Sequence, residues 1–410
     1  MEKLQPAKTF LFDACTRCGL CFSRCPVMDL PVKTAREEIA RLIDGRPTRH
    51  VLQRCTSCFA CDFICPHDCH PAELILDRWH RQYEKEGLPL RARYFTPHED
   101  LNFRTYVTAR MPADERELVR KWADLSPVEE ILYPGCNIIT APFLTRTRAL
   151  EGLEIRGSLA YCCGETYYRM GLFNEVRKVA RRLERYFERL QVKRVYILCT
   201  AGCNMFTNVL PAFGAEFDFE VVPYLPVLLE KMESGELAVE KPLEGTVTIQ
   251  ESCYGKQLGE KYMDVPRRLL QLIGLEVVEE KRNRSCALCC GIAGGFSPSS
   301  GYHLLKVSSA TIRSLWEARN TGADYLACYC AGCLQMLSTG RLLFPAGPPV
   351  YHILELISAA LGEEPGHPMG WRSRAFLAGT LRHQAPLTFS RRRYRVPDID
   401  PEPPGERRMT

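Results

Sequence analysis

Cys15-Thr-Arg-Cys18-Gly-Leu-Cys21-Phe-Ser-Arg-Cys25-Pro26 recurs forty residues on as Cys55-Thr-Ser-Cys58-Phe-Ala-Cys61-Asp-Phe-Ile-Cys65-Pro66. Both runs read C-x2-C-x2-C-x3-C-P, the spacing of bacterial two-cluster ferredoxins. Three thiolates two residues apart wrap one face of a cubane in a tight turn, and the fourth reaches across to the other cluster. Soft thiolates suit iron–sulfur or zinc, but zinc sites use two separated pairs and no third Cys followed by Cys-Pro. The spacing therefore predicts two [4Fe–4S] clusters. One falls to Cys15, Cys18, Cys21 and Cys65, the other to Cys55, Cys58, Cys61 and Cys25. Cys69, just beyond the second run, is surplus to that count and reads as a non-ligand.

Around these runs the pattern is helical. Ile39, Leu42 and Ile43 share one side of 34–43, and Leu74, Ile75, Trp79 and Tyr83 form the stripe of a second helix within 71–90. That stripe reads as core. Residues 1–95 are thus expected to form a helical ferredoxin-like domain, followed by a linker over 96–127.

Of 410 residues 46% are hydrophobic and 25% charged, the balance of a soluble globular protein, and the length exceeds one ordinary domain. The N-terminus has no apolar h-region, and no run of about 18 apolar residues occurs, which argues against export and against a membrane span. The expected location is cytoplasmic, with docking on the inner face of a membrane through a partner as an extension. Twenty-one cysteines without an export signal mean metal rather than disulfides. From Trp371 to Thr410 nine Arg face four acidic residues, which matches the whole net charge of +5. With Pro386, Pro397, Pro401, Pro403 and Pro404, the segment 364–410 reads as a basic tail, extended, partly disordered or partner-docking. No nucleic-acid partner is expected.

From residue 128 strands and helices alternate. Glu130–Cys136 is a strand ending on Cys; Cys162-Cys163-Gly164 follows, then a charged helix over Phe173–Leu190. A strand over Val192–Cys199 comes next, and Cys203 opens another helix. The same order returns 117 residues later. Thr246–Cys253 is a strand, Cys289-Cys290-Gly291 precedes a helix over 302–320, Ala323–Cys330 is a strand, and Cys333 opens a helix. Each half closes on a short strand and an apolar helix, at 222–231 and 350–361. Two related α/β subdomains follow, over 128–240 and 241–363, with pseudo-twofold symmetry. Ligands of open α/β sheets bind beyond the carboxyl ends of the strands, where these cysteines sit. Cys253, Cys289, Cys290, Cys330 and Cys333 converge in the second half, and Cys136, Cys162, Cys163, Cys199 and Cys203 in the first.

These motifs resemble the CCG-domain proteins, and the layout over residues 10–360 resembles the D-type subunit of the heterodisulfide reductase family. The resemblance implies a multidomain α+β chain: an α-helical ferredoxin-like domain followed by two pseudo-symmetric, Rossmann-like, parallel-sheet CCG subdomains. It implies a noncubane [4Fe–4S] cluster held by Cys253, Cys289, Cys290, Cys330 and Cys333, with Gly291, Gly294 and Gly295 shaping the loop. A second such cluster in the first half is open, because Cys199-Thr-Ala-Gly-Cys203 departs from C-x2-C and sets Thr200 opposite Cys330. Cys286 and Cys328 are surplus thiols, read as buried non-ligands. The implied activity is reduction or formation of a disulfide or heterodisulfide, fed by the two cubanes. The implied partners are a flavoprotein A-type or cytochrome b-type membrane subunit and a small-molecule or protein disulfide. The alternative is an electron-transfer subunit of a flavin-dependent 2-hydroxyacid or glycerol-3-phosphate dehydrogenase. The chain has no G-x-G-x-x-G after a strand, so a flavin would belong to a partner. Tyr254, Lys256, Arg282 and Lys306 are candidates for orienting a substrate, against the plainer reading of exposed charges and loop residues.

Overall fold

The structure is a computed structural model that describes residues 9–364, 366 and 368–399. Its N-terminal part is helical around the two cysteine runs. Helix α1 (Val32–Ile43) buries Ala35, Glu38, Ile39 and Leu42. The Glu38 carboxylate accepts hydrogen bonds from the backbone N–H groups of Arg49, His50 and Val51 at 2.8–2.9 Å, so a buried charge organises the approach to the second run. Helix α2 (Pro71–Glu86) starts on Pro71 and buries Leu74, Ile75, Trp79 and Tyr83 on one stripe. It stops at Gly87, and the chain continues into the short strand β1 (Leu88–Pro89).

The stretch expected to be a linker is structured instead. It carries helices α3 (Phe103–Thr108) and α4 (Ala113–Lys121). Asn102 caps α3: its side-chain oxygen accepts from the N–H groups of Arg104 (2.8 Å) and Thr105 (3.2 Å), while Thr105 Oγ1 accepts from Asn102 N–H (3.0 Å).

Two parallel sheets follow. The first joins β2 (Glu130–Tyr133), β3 (Arg194–Ile197) and β4 (Glu220–Pro223) in that order. Helix α5 (Phe173–Leu190) crosses from β2 to β3. Val176, Val179, Ala180, Leu183, Phe187 and Leu190 recur at helical spacing on its buried face, which is why so charged a segment packs on a sheet. Helix α6 (Tyr224–Glu233) closes this half. In the second half β5 (Thr246–Gln250) leads through α7 (Glu260–Leu272) to β6 (Glu276–Val277). Helix α8 (Leu304–Arg319), β7 (Tyr325–Cys328), α9 (Ala331–Gly340), β8 (Val350–His352) and α10 (Ile353–Ala360) complete it. The strand order is β6-β5-β7-β8, all parallel.

The two sheets are more alike than their strand counts suggest. A parallel bridge between Leu132 and Ile155 stands beside β2 where β6 stands beside β5. Successive connections leave opposite sides of the first strand of each half, so each sheet has a switch point, between β2 and β3 and between β5 and β7.

The C-terminal segment departs from the expected extended or disordered tail. Helix α11 (Met369–His383) packs on α9 and α3, and β9 (Arg393–Tyr394) pairs antiparallel with β1. Arg372 is fully buried, ion-paired with Glu115 and donating to the Thr140 carbonyl at 3.0 Å. At least one arginine counted as solvated tail charge is therefore internal. Pro401, Pro403 and Pro404 lie outside the described residues. Among the described residues no helix is long and apolar enough to cross a membrane.

Candidate iron–sulfur and thiol site

Both N-terminal runs turn through left-handed backbone on either side of their second cysteine: Arg17 and Gly19 in one, Ser57 and Phe59 in the other. These turns gather the thiols around two cavities. One is lined by Cys25, Cys55, Cys58 and Cys61 within an apolar wall of Phe22, Met28, Phe59 and Ile75. The other is lined by Cys15, Cys18, Cys21 and Cys65. Each cavity takes three thiols from one run and the fourth from the other. Burial, then the neighbouring thiols, push Cys21, Cys25 and Cys55 up from the ordinary thiol range. Among the described residues no three His, Cys, Asp or Glu side chains are placed to hold a metal ion. Four thiols line each cavity, three from one run and one from the other, a donor set that fits a [4Fe–4S] cluster. Backbone N–H groups already point at sulfur, Ser57 to Cys55 Sγ at 3.3 Å and Cys69 to Cys65 Sγ at 3.4 Å. Such bonds are among the levers on cluster potential. Cys69 itself lines the second cavity beside Cys65 and Cys15, its thiol donating to the His67 carbonyl at 3.6 Å. Sequence spacing carried no signal for this.

The second cysteine set lies at the β5/β7 switch point. Cys253 follows β5, Cys330 precedes α9, and Cys333 sits in the first turn of α9. Gln250, at the end of β5, donates to the Leu288 carbonyl at 2.8 Å and so pins the loop carrying Cys289 and Cys290. At Gly291 φ is +109°, and a Cβ there would stand 2.6 Å from the Thr311 backbone nitrogen, so only glycine lets this loop close against α8. The five thiols neighbour one another in order and shift each other's proton affinity: Cys253 with Cys289, Cys289 with Cys290, Cys290 with Cys333, Cys333 with Cys330. Thiol donors on both sides, Cys289 first, bring Cys290 down to about 6, and Cys199 and Cys333 hold Cys330 well below the ordinary range.

The first half is assembled differently. Cys136 neighbours Cys162, and Cys162 neighbours Cys163, each shifting the other's proton affinity, while Tyr133 Oη bonds the Tyr161 carbonyl and anchors that loop. Cys203 does not join them. It lies under β3, donating to the Ile197 carbonyl at 3.7 Å. Cys199 points across to the other half, where Cys330 is its strongest electrostatic neighbour and Cys163 also acts on it. The two switch points face each other: Thr200 Oγ1 is 2.5 Å from Ser252 Oγ, and a Cβ on Gly332 would meet Asn137 at 2.9 Å. The shift of Cys199 by one residue, which the spacing showed, therefore carries it toward the second site. Of the surplus thiols, Cys328 is buried in β7 with its sulfur 3.4 Å from the Tyr351 carbonyl, whereas Cys286 is exposed rather than buried.

Among the candidate orienting groups, Arg282 pairs with Glu317 at 2.8 Å and Lys306 donates to the Gln53 carbonyl at 3.1 Å. Neither reaches the thiols. Lys256 and Tyr254 are not exposed loop residues but buried, at 1% and 2% exposure, beside Cys253. Arg169 and Arg104 carried no sequence signal. Arg104 is buried against Cys136 and Cys162, and two of its guanidinium nitrogens have no hydrogen-bond partner.

With this geometry established, residues 8–66 match the 4Fe-4S dicluster domain and residues 247–338 match the cysteine-rich domain known as CCG. One relative is the D-type subunit of the dihydromethanophenazine:CoB–CoM heterodisulfide reductase of Methanosarcina barkeri. The two sequences are 28% identical across 88% of this chain and 97% of the relative. The chain is a homologue of the D-type subunit of heterodisulfide reductase. It is also 31% identical to the probable iron-sulfur-binding oxidoreductase FadF of Bacillus subtilis, over 48% of this chain and 28% of that protein. Lactate utilization protein A of Macrococcus caseolyticus is 24% identical over 48% of this chain and 80% of its own length. With a dicluster domain and a CCG domain, the chain is an iron–sulfur oxidoreductase.

Proposed function

We propose that this chain is the disulfide-reducing subunit of a redox complex. In this reading Cys15, Cys18, Cys21 and Cys65 hold one cubane, and Cys55, Cys58, Cys61 and Cys25 hold the other. Cys253, Cys289, Cys290, Cys330 and Cys333 hold a noncubane cluster. The reading rests chiefly on the gathering of five neighbouring thiols at the β5/β7 switch point, beside the cavity of the second cubane. A cluster bound by those thiols supplies one-electron storage and a thiophilic iron. The reaction R–S–S–R′ + 2e⁻ + 2H⁺ gives RSH and R′SH, with electrons delivered by a partner subunit through the dicluster domain. The chain's own part is to bury the thiols, bring them together and keep water from them. The name of the Methanosarcina relative supports a heterodisulfide as substrate and further subunits as partners.

Anaerobically purified protein reduced by a viologen dye should oxidise that dye on addition of the CoB–CoM heterodisulfide or a simple dialkyl disulfide. Cys290→Ala should lose this activity at least about a hundredfold while retaining the iron of the dicluster domain, a loss of about 2.7 kcal/mol in transition-state stabilisation. Disulfide reduction undiminished in Cys290→Ala would refute the proposal. The likeness to lactate utilization protein A and FadF supports a second reading, in which the same thiols pass electrons to or from a flavoprotein and no disulfide binds. Under it, viologen oxidation would require the flavoprotein and not a disulfide.

A further inference from the structure

The second cubane cavity and the second-half thiols share a wall, and that wall holds two buried cations. Arg169, 4% exposed, follows the first-half Cys-Cys-Gly turn. Its guanidinium donates to the Ser57 carbonyl at 2.7 Å, to the Thr56 carbonyl at 3.2 Å and to Ser57 Oγ at 3.2 Å. It thereby grips the loop between Cys55 and Cys58. The same guanidinium carbon lies 5.4 Å from the Phe59 ring, 5.4 Å from the Tyr254 ring and 5.0 Å from the Phe296 ring. Its carboxylate partner is Glu165 at 3.3 Å. Lys256 comes from the opposite side. Its ammonium donates to the Ala287 carbonyl at 3.0 Å and stands 3.5 Å from the Cys58 carbonyl. Between them Phe59, next to Cys58, meets Tyr254, next to Cys253, at 5.2 Å between ring centroids.

Glu165 partners Arg169, whereas Lys256 is buried against backbone carbonyls, which is costly without nearby negative charge. The groups on either side are the thiol sets: Cys55 and Cys253 feel Arg169, and Cys25 and Cys253 feel Lys256. We propose that Arg169 and Lys256 are positioning residues that hold the potentials of the second cubane and the second-half cysteine site together, so that this cubane is the direct electron donor to that site. A buried positive charge favours the state with one more electron, so each cation raises the potential of the two centres it stands beside. The inference rests on the occupancy of both sites given above.

The test is an EPR-monitored redox titration of the full anaerobic holoprotein and its variants. Arg169→Met and Lys256→Met should each move the second cubane and the cysteine-site centre to more negative potential, with the first cubane unmoved. Arg169→Lys and Lys256→Arg should restore values near the parent. Two unmoved potentials at full iron content, or an equal shift of all three centres, would overturn the assignment. If the Met variants fail to assemble iron, the charge-conserving variants decide alone, and a shift comparable to a lost charge in those would overturn it. Absence of either signal in the parent protein would instead refute the occupancy on which the inference rests.

Discussion

Gly291 shows how much one backbone position decides. With φ at +109° and Thr311 against the place of its missing Cβ, Gly291→Ala combines left-handed strain with overpacking and should cost at least about 2 kcal/mol. Thermal unfolding should show the lower midpoint, and iron should be lost from the second-half site before the dicluster domain. An unchanged midpoint would mean the loop closes in some other way. Glu280 offers a test of a different kind. It is 3% exposed with one carboxylate oxygen lacking a hydrogen bond. Burial, then Glu317, Glu251 and Glu279, push it from 4.5 up to about 9. The native state therefore keeps a proton that the unfolded chain releases, and stability falls as pH rises from 4.5 to about 9. Glu280→Gln, which mimics the protonated form, should flatten that decline and raise the unfolding midpoint at pH 9 relative to the parent. Parallel pH profiles for the two proteins would contradict this.

At the scale of elements, the C-terminal helix departs furthest from what composition suggests. Phe376 of α11, 4% exposed, meets Phe103 at 5.1 Å and Phe95 at 6.1 Å edge-on. Phe376→Ala should cost about 3–5 kcal/mol, read as a lower denaturation midpoint; a surface-like cost under about 0.5 kcal/mol would show the helix is not part of the core. Net charge and proline content pointed to a solvated tail because composition does not reveal which arginine meets a buried Glu115. The stripe of α2 and the span of α5 were legible because helical patterning is a local property. So were the strands of the repeat, whose ends fall within a few residues of the cysteines. The capped helix α3 left a weaker trace in Asn102 and Thr105.

For the whole molecule, what was legible was what one segment determines. The four-thiol grouping of each cubane cavity followed from spacing, and so did the five thiols of the second half. The destination of Cys199 did not, because it depends on two subdomains facing each other across Ser252, Asn137 and Gly332, nor did that of Cys203, whose thiol turns back to the Ile197 carbonyl of its own half. Nor could spacing place Arg169 and Lys256, which link three parts of the chain far apart in sequence. The central claim concerns what those parts do together: electrons that enter at the ferredoxin-like domain leave at a thiol site in the second half. EPR of the oxidised, anaerobic protein titrated with free thiol tests it most directly. The expected result is a paramagnetic signal that appears only with thiol, and is absent from Cys290→Ala while the signals of both cubanes persist on reduction. No thiol-dependent signal in a protein that contains all its iron would contradict it.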